Sequence, residues 1–174
     1  MKKSLIGFIE TFIVGLFLSI LIMIFVGQSL EITGDSMYPT LKGKERIVVE
    51  KVTYKSRAPE RGEVVVFRSL QNDAIFLIKR AIALPGDTLG LIDGNITVNG
   101  NIIDESYLSK SVKVESLGEL AKYNDSPVPE DYFAAIGDNR EESFDSRMFG
   151  LVPFDNLVGK AFVVYWPPTD IRKI

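Results

Sequence analysis

The sequence contains one long stretch without charge near its N-terminus. Residues 11–30 include no Asp, Glu, Lys or Arg and are rich in Ile, Leu, Phe and Val. A helix of about 20 such residues rises about 30 Å, the thickness of the hydrocarbon core of a bilayer. The stretch therefore predicts a transmembrane helix, followed by one domain large enough to bury its own core.

A cleavable leader peptide is the alternative interpretation of this stretch. Such a leader has a shorter apolar core and ends in a small-x-small site, which the exit at residues 26–30 lacks. We therefore expect an uncleaved, single-pass anchor in the cell membrane. Two lysines lie within residues 1–10, and no Lys or Arg follows before Lys42. The positive-inside rule then predicts a cytoplasmic N-terminus and an extracytoplasmic domain at residues 31–174.

Short apolar runs between turn formers follow the predicted anchor. Many of their residues are β-branched, and long amphipathic helical patterns are missing, which favours a mainly β domain of sandwich or barrel type. Asp-Gly at residues 93–94 and Asn-Gly at residues 99–100 are strong hairpin signals. The polar stretch 104–130 is predicted to be a loop-rich insertion. The predicted strands cover residues 46–52, 63–68, 74–82, 132–136 and 158–166.

The 174 residues include no histidine and no cysteine. These absences exclude a Ser-His-Asp triad, a cysteine nucleophile, thiolate zinc sites and the HExxH motif. A hydrolase of this composition must take its general base from Lys, Asp, Glu or a terminal amine. The formal net charge of −3 argues against nucleic-acid binding as the main task, because no global basic field is present.

Ser36 lies in the stretch Gly-Asp-Ser-Met-Tyr-Pro-Thr-Leu at residues 34–41, just beyond the predicted anchor. Gly, Asp, Ser and Pro are frequent turn residues, so a structural turn is one interpretation. The other is that Ser36 is a nucleophile held close to a membrane surface. A serine hydroxyl needs a base to take its proton, and with histidine absent a neutral lysine is the economical candidate.

Lys79 is the lysine best suited to this role. Ile75, Leu77 and Lys79 share one face of the predicted strand, so the amine is expected to be buried and its pKa lowered by desolvation. Arg80 would then point the other way and form an ordinary ion pair. The alternative is that Lys79 and Arg80 end the strand as solvated charges.

The stretch at residues 137–147 is dense in charged and small polar groups. One interpretation is an exposed charged loop. The functional interpretation is a supporting shell, in which Asp145 and Arg147 form an internal pair and Ser143 orients a lysine amine.

Three stretches together resemble the bacterial type I signal peptidases, which are membrane-bound Ser-Lys endopeptidases. The stretches are residues 34–41, 79–87 and 137–147, and their order and spacing match the motifs of that family. The resemblance covers nearly the whole chain. The short length of the chain and its single predicted anchor are similar to those of the Gram-positive branch of the family.

The resemblance implies that Ser36 attacks the scissile carbonyl of an exported preprotein. It implies that Lys79 activates Ser36 and later the deacylating water. The Ser36 backbone N–H is implied to be an oxyanion donor. Some members add a hydroxyl two residues before the nucleophile, where this chain has Gly34. The residues implied to support the site are Ser143, which orients the amine, and the charged side chains Arg80, Asp138, Asp145 and Arg147.

Substrates of that family carry small residues at the −3 and −1 positions and bind as an added strand. The expected partners are therefore signal-peptide-bearing preproteins and the lipid bilayer, with no nucleic acid, no metal and no cofactor, and the chain is expected to act as a monomer. The fold implied is a β core of the signal-peptidase and LexA type, with a small second β region inserted at residues 91–130. The residues implied to line the groove are Ile32, Thr33, Gly34, Asp35, Phe76, Leu77 and Ile78.

Three other functions stay open at this point. The first is a Ser-Lys autopeptidase of the LexA-repressor type, against which the long anchor and the missing DNA-binding module argue. The second is a dedicated or catalytically silent member that serves pilus assembly or another narrow substrate set. The third is an aspartic mechanism using Asp138 and Asp145, which Arg140 and Arg147 oppose because they would hold both carboxylates ionised.

Overall fold

A computed structural model describes residues 2–25, 27–108 and 112–174 of the chain. Residue 1, residue 26 of the predicted anchor and residues 109–111 of the predicted insertion lie outside the described residues. Within the described part there are two α-helices, α1 and α2, four short 3₁₀ helices and eleven strands, β1 to β11. Their bounds are α1 Lys2–Phe25, β1 Gly27–Glu31, β2 Arg46–Glu50, β3 Val64–Arg68, β4 Phe76–Ala83, β5 Leu89–Ile92, β6 Asn95–Val98, β7 Asn101–Ile102, β8 Tyr132–Ile136, α2 Ser146–Phe149, β9 Val152–Pro153, β10 Leu157–Trp166 and β11 Arg172–Lys173.

The N-terminal segment is a helix of 24 residues, α1. Large apolar side chains on it, including Phe8, Phe12 and Phe17, are exposed. Taken over the described residues alone, no helix combines the length and the apolar character that crossing a membrane requires. The structure also differs from the predicted anchor, residues 11–30, at its C-terminal end. Gly27 begins a strand that pairs along β2, so main-chain hydrogen bonding to a neighbour replaces helix there.

The domain is mainly β, as the sequence predicts. Seven strands follow one another across the main sheet in the order β1, β2, β10, β3, β4, β8 and β9, and β11 adds an eighth beside β10. Every pairing in it is antiparallel. The central strand β3 reads Val-Val-Val-Phe-Arg, and its first four residues are buried. A nearly continuous apolar run of this kind belongs to a strand that is covered on both faces.

The predicted strands agree with the structure to within two residues at each end. The strand predicted at 132–136 matches β8 in full, and those predicted at 63–68 and 158–166 match β3 and β10. Both hairpin signals are confirmed, since residues 93–94 and 99–100 connect β5 to β6 and β6 to β7 with positive φ at all four positions. Asn, Asp and Gly tolerate such angles, and for that reason they predict these turns well.

The inserted region forms a small sheet of its own, made of β5, β6 and β7. It begins two residues before the predicted boundary at 91, because β5 starts at Leu89. The polar stretch 104–130 contains a 3₁₀ helix at Gly118–Tyr123. This stretch also places four apolar side chains in the core beneath the sheet, which a loop-rich pattern does not predict: Val114, Leu117, Leu120 and Val128.

Candidate active site

Ser36 lies on a short turn that buried apolar side chains hold in place. Met37 and Leu41 are four residues apart and are both buried in one hydrophobic cluster, and the Leu41 N–H donates to the Met37 carbonyl at 2.8 Å. Residues at this spacing lie on the same side of a helical turn. The packing of Met37 and Leu41 therefore fixes the turn, while Ser36 is only half-buried and lines an open cavity.

Lys79 reaches Ser36 from the middle of β4. Its Nζ donates a hydrogen bond of 2.6 Å to the Ser36 Oγ, and its side chain is only 3 % exposed. The predicted burial of Lys79 is confirmed, although Ile75 on the same predicted face is exposed and Leu77 is half-buried. The strand enters the core at Lys79, between β3 and β8, rather than along its whole length.

Burial lowers the pKa of Lys79 to about 8, because desolvation disfavours the ammonium form. The carboxylates of Asp145 and Asp138 act in the opposite direction and raise the pKa, while Arg147 lowers it. Desolvation is the largest of these effects. A substantial fraction of the amine is therefore neutral near neutral to mildly alkaline pH, and a neutral amine can accept the proton of the Ser36 hydroxyl.

Arg80 forms an ion pair, as the sequence interpretation expects, and this pair is buried, so the alternative of a solvated charge at the end of the strand is wrong. Its guanidinium is buried and holds the fully buried carboxylate of Asp138 with two hydrogen bonds of 2.8 and 2.6 Å. It also donates to the Gly62 carbonyl at 2.6 Å and to the Thr40 hydroxyl at 3.1 Å. Acceptors from distant parts of the chain draw Arg80 into the interior, which the alternation along one strand does not reveal.

Asp145 and Arg147 form the internal pair that the sequence predicts. Arg147 donates to both carboxylate oxygens of Asp145, at 2.9 and 2.8 Å, and the Gly137 N–H donates to Asp145 at 3.0 Å. Burial raises the pKa of Asp145, but these hydrogen bonds outweigh it and hold the pKa below its usual value. An aspartic mechanism needs two carboxylates that share one proton, whereas Asp145 and Asp138 are held in separate ion pairs with Arg147 and Arg80.

Ser143 lies close to the nucleophile, but the predicted hydrogen bond to the lysine amine is not formed. Its buried hydroxyl forms no well-aligned hydrogen bond with a described residue, although it lies close enough to Asp145 to help lower the pKa of that carboxyl. A Cβ placed on Gly137 would lie 2.1 Å from the Ser143 Oγ and 2.5 Å from the Ser36 carbonyl oxygen. Only glycine allows these two serines to approach the same backbone position so closely.

The predicted groove residues line a single cavity of about 520 Å³ together with Ser36 and Lys79. All seven of them are present, four from segment 32–35 and three from segment 76–78. Glu142 and Phe144 also line this cavity, and the sequence does not predict this position for either residue. Phe144 is 43 % exposed there and packs against Phe149 at a ring-centroid distance of 5.3 Å.

Three further residues contact the supporting charges and were not predicted. Thr40 donates to Asp138 at 2.5 Å. Tyr107 stacks on Arg80, and Glu105 forms an ion pair with Arg140. Tyr107 is 27 residues from Arg80 along the chain and Glu105 is 35 residues from Arg140, so no local pattern in the sequence joins them.

In the described part of the chain, no group of three or more acidic side chains is arranged to hold a metal ion. The chemical centre of the cavity is the contact between a serine hydroxyl and a buried lysine amine, supported by two buried ion pairs. A hydroxyl within hydrogen-bond distance of a buried amine has the geometry that a nucleophile and its general base require.

Comparison with known proteins identifies the family. The family model described as "Signal peptidase, peptidase S26" matches residues 5–166. The chain therefore belongs to the signal peptidase family, peptidase S26, and its activity is the removal of signal peptides from preproteins.

Individual relatives agree with this assignment. "Probable signal peptidase I-2" of Synechocystis sp. is 39% identical over 91% of this chain and 72% of its own length. "Signal peptidase IB" of Staphylococcus aureus is 34% identical over 99% of this chain and 95% of its own length. The crystal structure of a signal peptidase I from Enterococcus faecalis V583 is 32% identical, with a TM-score of 0.51, over 60% of this chain and 97% of that one.

Proposed function

We propose that Ser36 is the nucleophile and Lys79 the general base of this peptidase. The observation that carries the proposal is the 2.6 Å contact between Lys79 Nζ and Ser36 Oγ, formed by an amine with a lowered pKa. Proton transfer requires hydrogen-bond distance first and a suitable pKa second, and this pair has both.

The reaction begins when neutral Lys79 takes the proton of the Ser36 hydroxyl while its oxygen attacks the scissile carbonyl carbon. The carbonyl oxygen becomes an oxyanion, which accepts a hydrogen bond from the Ser36 backbone N–H. The lysine ammonium then protonates the leaving amide nitrogen, and the mature protein departs with a free N-terminal amine. The signal peptide remains bound to Ser36 as an ester.

Deacylation repeats the proton transfer with water. Neutral Lys79 takes a proton from the water that attacks the ester carbonyl, and the Ser36 oxygen recovers that proton as it leaves. The signal peptide is released as a carboxylate and the site returns to its starting state. One lysine therefore serves as base and acid in both halves of the reaction.

The buried ion pairs contain charges that influence the pKa of Lys79. Asp145 and Asp138 lie close enough to raise the pKa of Lys79, whereas the desolvation around the amine and Arg147 lower it. We assign Arg80 and Asp138 a supporting role, because Arg80 neutralises a carboxylate that would otherwise raise the pKa of Lys79 further. Ser143 is assigned to the same shell, where its unpaired hydroxyl is available to the lysine amine or the substrate.

The preprotein is proposed to bind as an added strand in the cavity beside Ser36. Segments 32–35 and 76–78 both line the cavity, and the backbone of an extended peptide can pair with such segments. Because main-chain pairing is independent of sequence, selectivity would come from side-chain positions near Ser36 that accept small residues.

The chain is proposed to be anchored in the cell membrane by its N-terminal helix, with residues 31–174 outside the cytoplasm. The absence of charge in residues 11–30 and the exposed apolar side chains of α1 support this topology. Anchoring would confine enzyme and preprotein to one surface and raise their effective concentration. The proposed partners are the bilayer and the preprotein, without nucleic acid or a second copy of the chain.

Cysteine labelling tests the topology directly, because the chain has no cysteine of its own. In intact bacterial cells, a membrane-impermeant maleimide should label Ser126→Cys, which lies on the exposed surface of the domain, and should spare Ser4→Cys. Both positions should react after the cells are lysed. Equal labelling of the two positions in intact cells would overturn the proposed topology.

Cleavage of a preprotein with Ala at −3 and −1 tests the catalytic assignment. Detergent-solubilised wild type should release the mature product, whereas Ser36→Ala and Lys79→Ala should each lose about 10³-fold or more in rate. A folded Ser36→Ala variant that still cleaves would refute the nucleophile assignment. A folded wild type that is inert would favour a dedicated substrate or a silent role instead.

A further inference from the structure

One segment of the inserted region contacts the catalytic core. This segment, residues 104–108, follows β7 and is called the arm here. Its residues Glu105 and Tyr107 are partly buried, whereas Ser106 between them is exposed. Both partly buried side chains contact arginines of the core, and these arginines belong to the motifs that carry the family resemblance.

Tyr107 covers one face of the Arg80 guanidinium. The guanidinium carbon lies 3.8 Å from the centroid of the tyrosine ring, which is a close cation–π stack. The edge of the same guanidinium is occupied by hydrogen bonds to Asp138, Gly62 and Thr40. The tyrosine ring thus adds an apolar cover to a buried ion pair, and this cover keeps water away from it.

Glu105 compensates the charge of Arg140. Its carboxylate accepts from Arg140 Nη2, which also donates to the Tyr107 hydroxyl at 3.3 Å. The Tyr107 hydroxyl in turn donates to Glu105 at 3.2 Å. Arg140 is buried, and its Nη1 has no hydrogen-bond partner among the described residues. Glu105 is the one carboxylate paired with this arginine in the part of the chain that the structure describes.

The segment that carries these charges also holds the backbone of the nucleophile. The Asn139 N–H donates to the Ser36 carbonyl oxygen at 3.0 Å, and the Asn139 side chain donates to the Asp35 carbonyl at 3.2 Å. Arg140 Nε donates to the Gly137 carbonyl at 3.1 Å. A contiguous set of contacts therefore runs from the arm through residues 137–140 to Ser36.

We propose that Glu105 and Tyr107 are positioning residues of the peptidase. They hold Arg140 and Arg80 in place. Residues 137–140 then keep the Ser36 backbone in position, so that Ser36 Oγ stays aligned with the Lys79 amine. The inserted region thereby takes part in catalysis without touching the substrate. The proposal rests on the proposed Ser36–Lys79 mechanism and adds two residues to it.

A purely structural arm would affect folding but not the chemistry of the folded protein. Loss of the Tyr107 ring should instead let Arg80 move away from Asp138 and let water approach the site. Both changes stabilise the ammonium form of Lys79, because the charge of Asp138 is less compensated and desolvation is weaker. The activity profile of the variant should then shift to higher pH.

The test measures kcat and KM of the full-length chain from pH 6 to 10 on the Ala-containing preprotein, with the melting temperature of every variant. Tyr107→Leu should lower kcat about tenfold, leave KM within about twofold and raise the midpoint of the pH profile by about half a unit. Tyr107→Phe keeps the ring and should retain at least about half of the wild-type kcat, with an unshifted midpoint. Ser106→Ala in the same arm is the matched control and should match wild type.

Glu105→Gln keeps the test decisive if Tyr107→Leu fails to fold. It preserves size and removes the charge, and it should lower kcat several-fold at unchanged KM, because Arg140 loses its carboxylate partner. If the folded Tyr107→Leu and Glu105→Gln variants both cleave at the wild-type rate with the wild-type midpoint, the arm has no positioning role. That result would leave the Ser-Lys mechanism standing, since Ser36→Ala and Lys79→Ala test it separately in the same assay.

Discussion

The catalytic core and the inserted region bury very different side chains. Around β4 and β8 the interior contains Lys79, Arg80, Asp138 and Asp145, all less than a tenth exposed. The strands β5, β6 and β7 contain no charged residue, and the core beneath them is built from Leu, Ile, Val and Ala. Both regions are compact β structures within one chain, so the difference reflects what each interior does rather than how it folds.

Buried charges are costly to keep, and apolar side chains of similar volume often stabilise a fold more. The catalytic core keeps such charges because an amine of lowered pKa requires a dry interior, and the neighbouring carboxylates then require partners of their own. The sheet of β5, β6 and β7 has no such requirement, and the core beneath it is stabilised by apolar burial. Substitutions in the two regions should therefore separate stability from activity.

Lys79→Met should have the largest effect on activity and the opposite effect on stability. We expect a loss of cleavage of about 10³-fold or more, because no base remains beside Ser36. At pH 7 the variant should gain about 3 kcal/mol in the free energy of unfolding, because methionine fills the space without the desolvation that lowers the lysine pKa to about 8. Denaturant unfolding and a cleavage assay measure the two quantities. A less stable Lys79→Met would show that the lysine has a structural role as well.

Asp145→Asn should reduce both stability and rate. The variant removes the charge that faces Arg147 and weakens the acceptor for the Gly137 N–H, so we expect a loss of about 3–5 kcal/mol in stability. The site would also shift, lowering kcat by about 10²-fold. Because Asp145 raises the pKa of Lys79, the midpoint of the remaining activity should move to lower pH.

Leu120→Ala is the matched control from the inserted region. Leu120 is fully buried in the apolar core beneath β5 and β6, so its truncation should cost about 2–5 kcal/mol. Below its melting temperature, however, the folded variant should keep the wild-type kcat and pH midpoint. If Leu120→Ala loses activity as Asp145→Asn does, the contrast between the two regions is wrong.

The sequence alone predicts the local features of this fold well. Short apolar runs with β-branched or aromatic residues identify β2, β3, β4, β8 and β10, because their pattern is decided within a few residues. Strand β1 is not predicted from the sequence, because residues 27–31 resemble the end of a membrane span. They become a strand through pairing with β2, and such pairing is a tertiary effect.

The site shows the same division between local and distant causes. The burial of Lys79 could be predicted from the apolar residues before it, although the contact with Ser36 spans 43 positions. The burial of Arg80 could not be predicted, because its acceptors at Gly62, Thr40 and Asp138 come from three separate segments. The geometry of Ser143 depends on the close approach of Gly137, which no spacing rule contains.

Activity should rise with pH through a midpoint near 8, since the neutral form of Lys79 is the proposed base. Below that midpoint the rate should fall about tenfold per pH unit. The free energy of unfolding should also depend on the protonation of the Lys79 amine. Between about pH 8 and 10.5 the unfolded lysine is protonated while the folded one is largely neutral, so the unfolded state binds more protons and stability rises with pH.

Comparison with Lys79→Met isolates this contribution. The stability advantage of the methionine variant should shrink as pH rises from about 8 to about 10.5, because folding of wild type then no longer requires release of the lysine proton. Unfolding curves at several pH values, together with a pH–rate profile, measure both effects. A rate that is flat from pH 6 to 10 would contradict a lysine base.

Gly34→Ser should produce the smallest change, and it should be a gain. A Cβ added at Gly34 meets no atom within 4 Å, so a serine fits without displacing its neighbours. Its hydroxyl would stand two residues before Ser36, where some signal peptidases have a second oxyanion donor. A preorganised donor of this kind is worth about 10²–10³-fold in kcat. A surface serine loses rotamer freedom when it binds the oxyanion, so we expect an increase of only about two- to tenfold.

Gly34→Ala supplies the same Cβ without the hydroxyl and is the control for this gain. An increase in kcat for serine but not for alanine, at similar KM, would indicate hydrogen bonding to the transition state. An equal increase in both variants would mean that stiffening the chain before Ser36, rather than a new donor, accelerates the reaction. Neither variant changes the charges that shift the pKa of Lys79, namely Asp145, Asp138 and Arg147, so neither should move the pH midpoint.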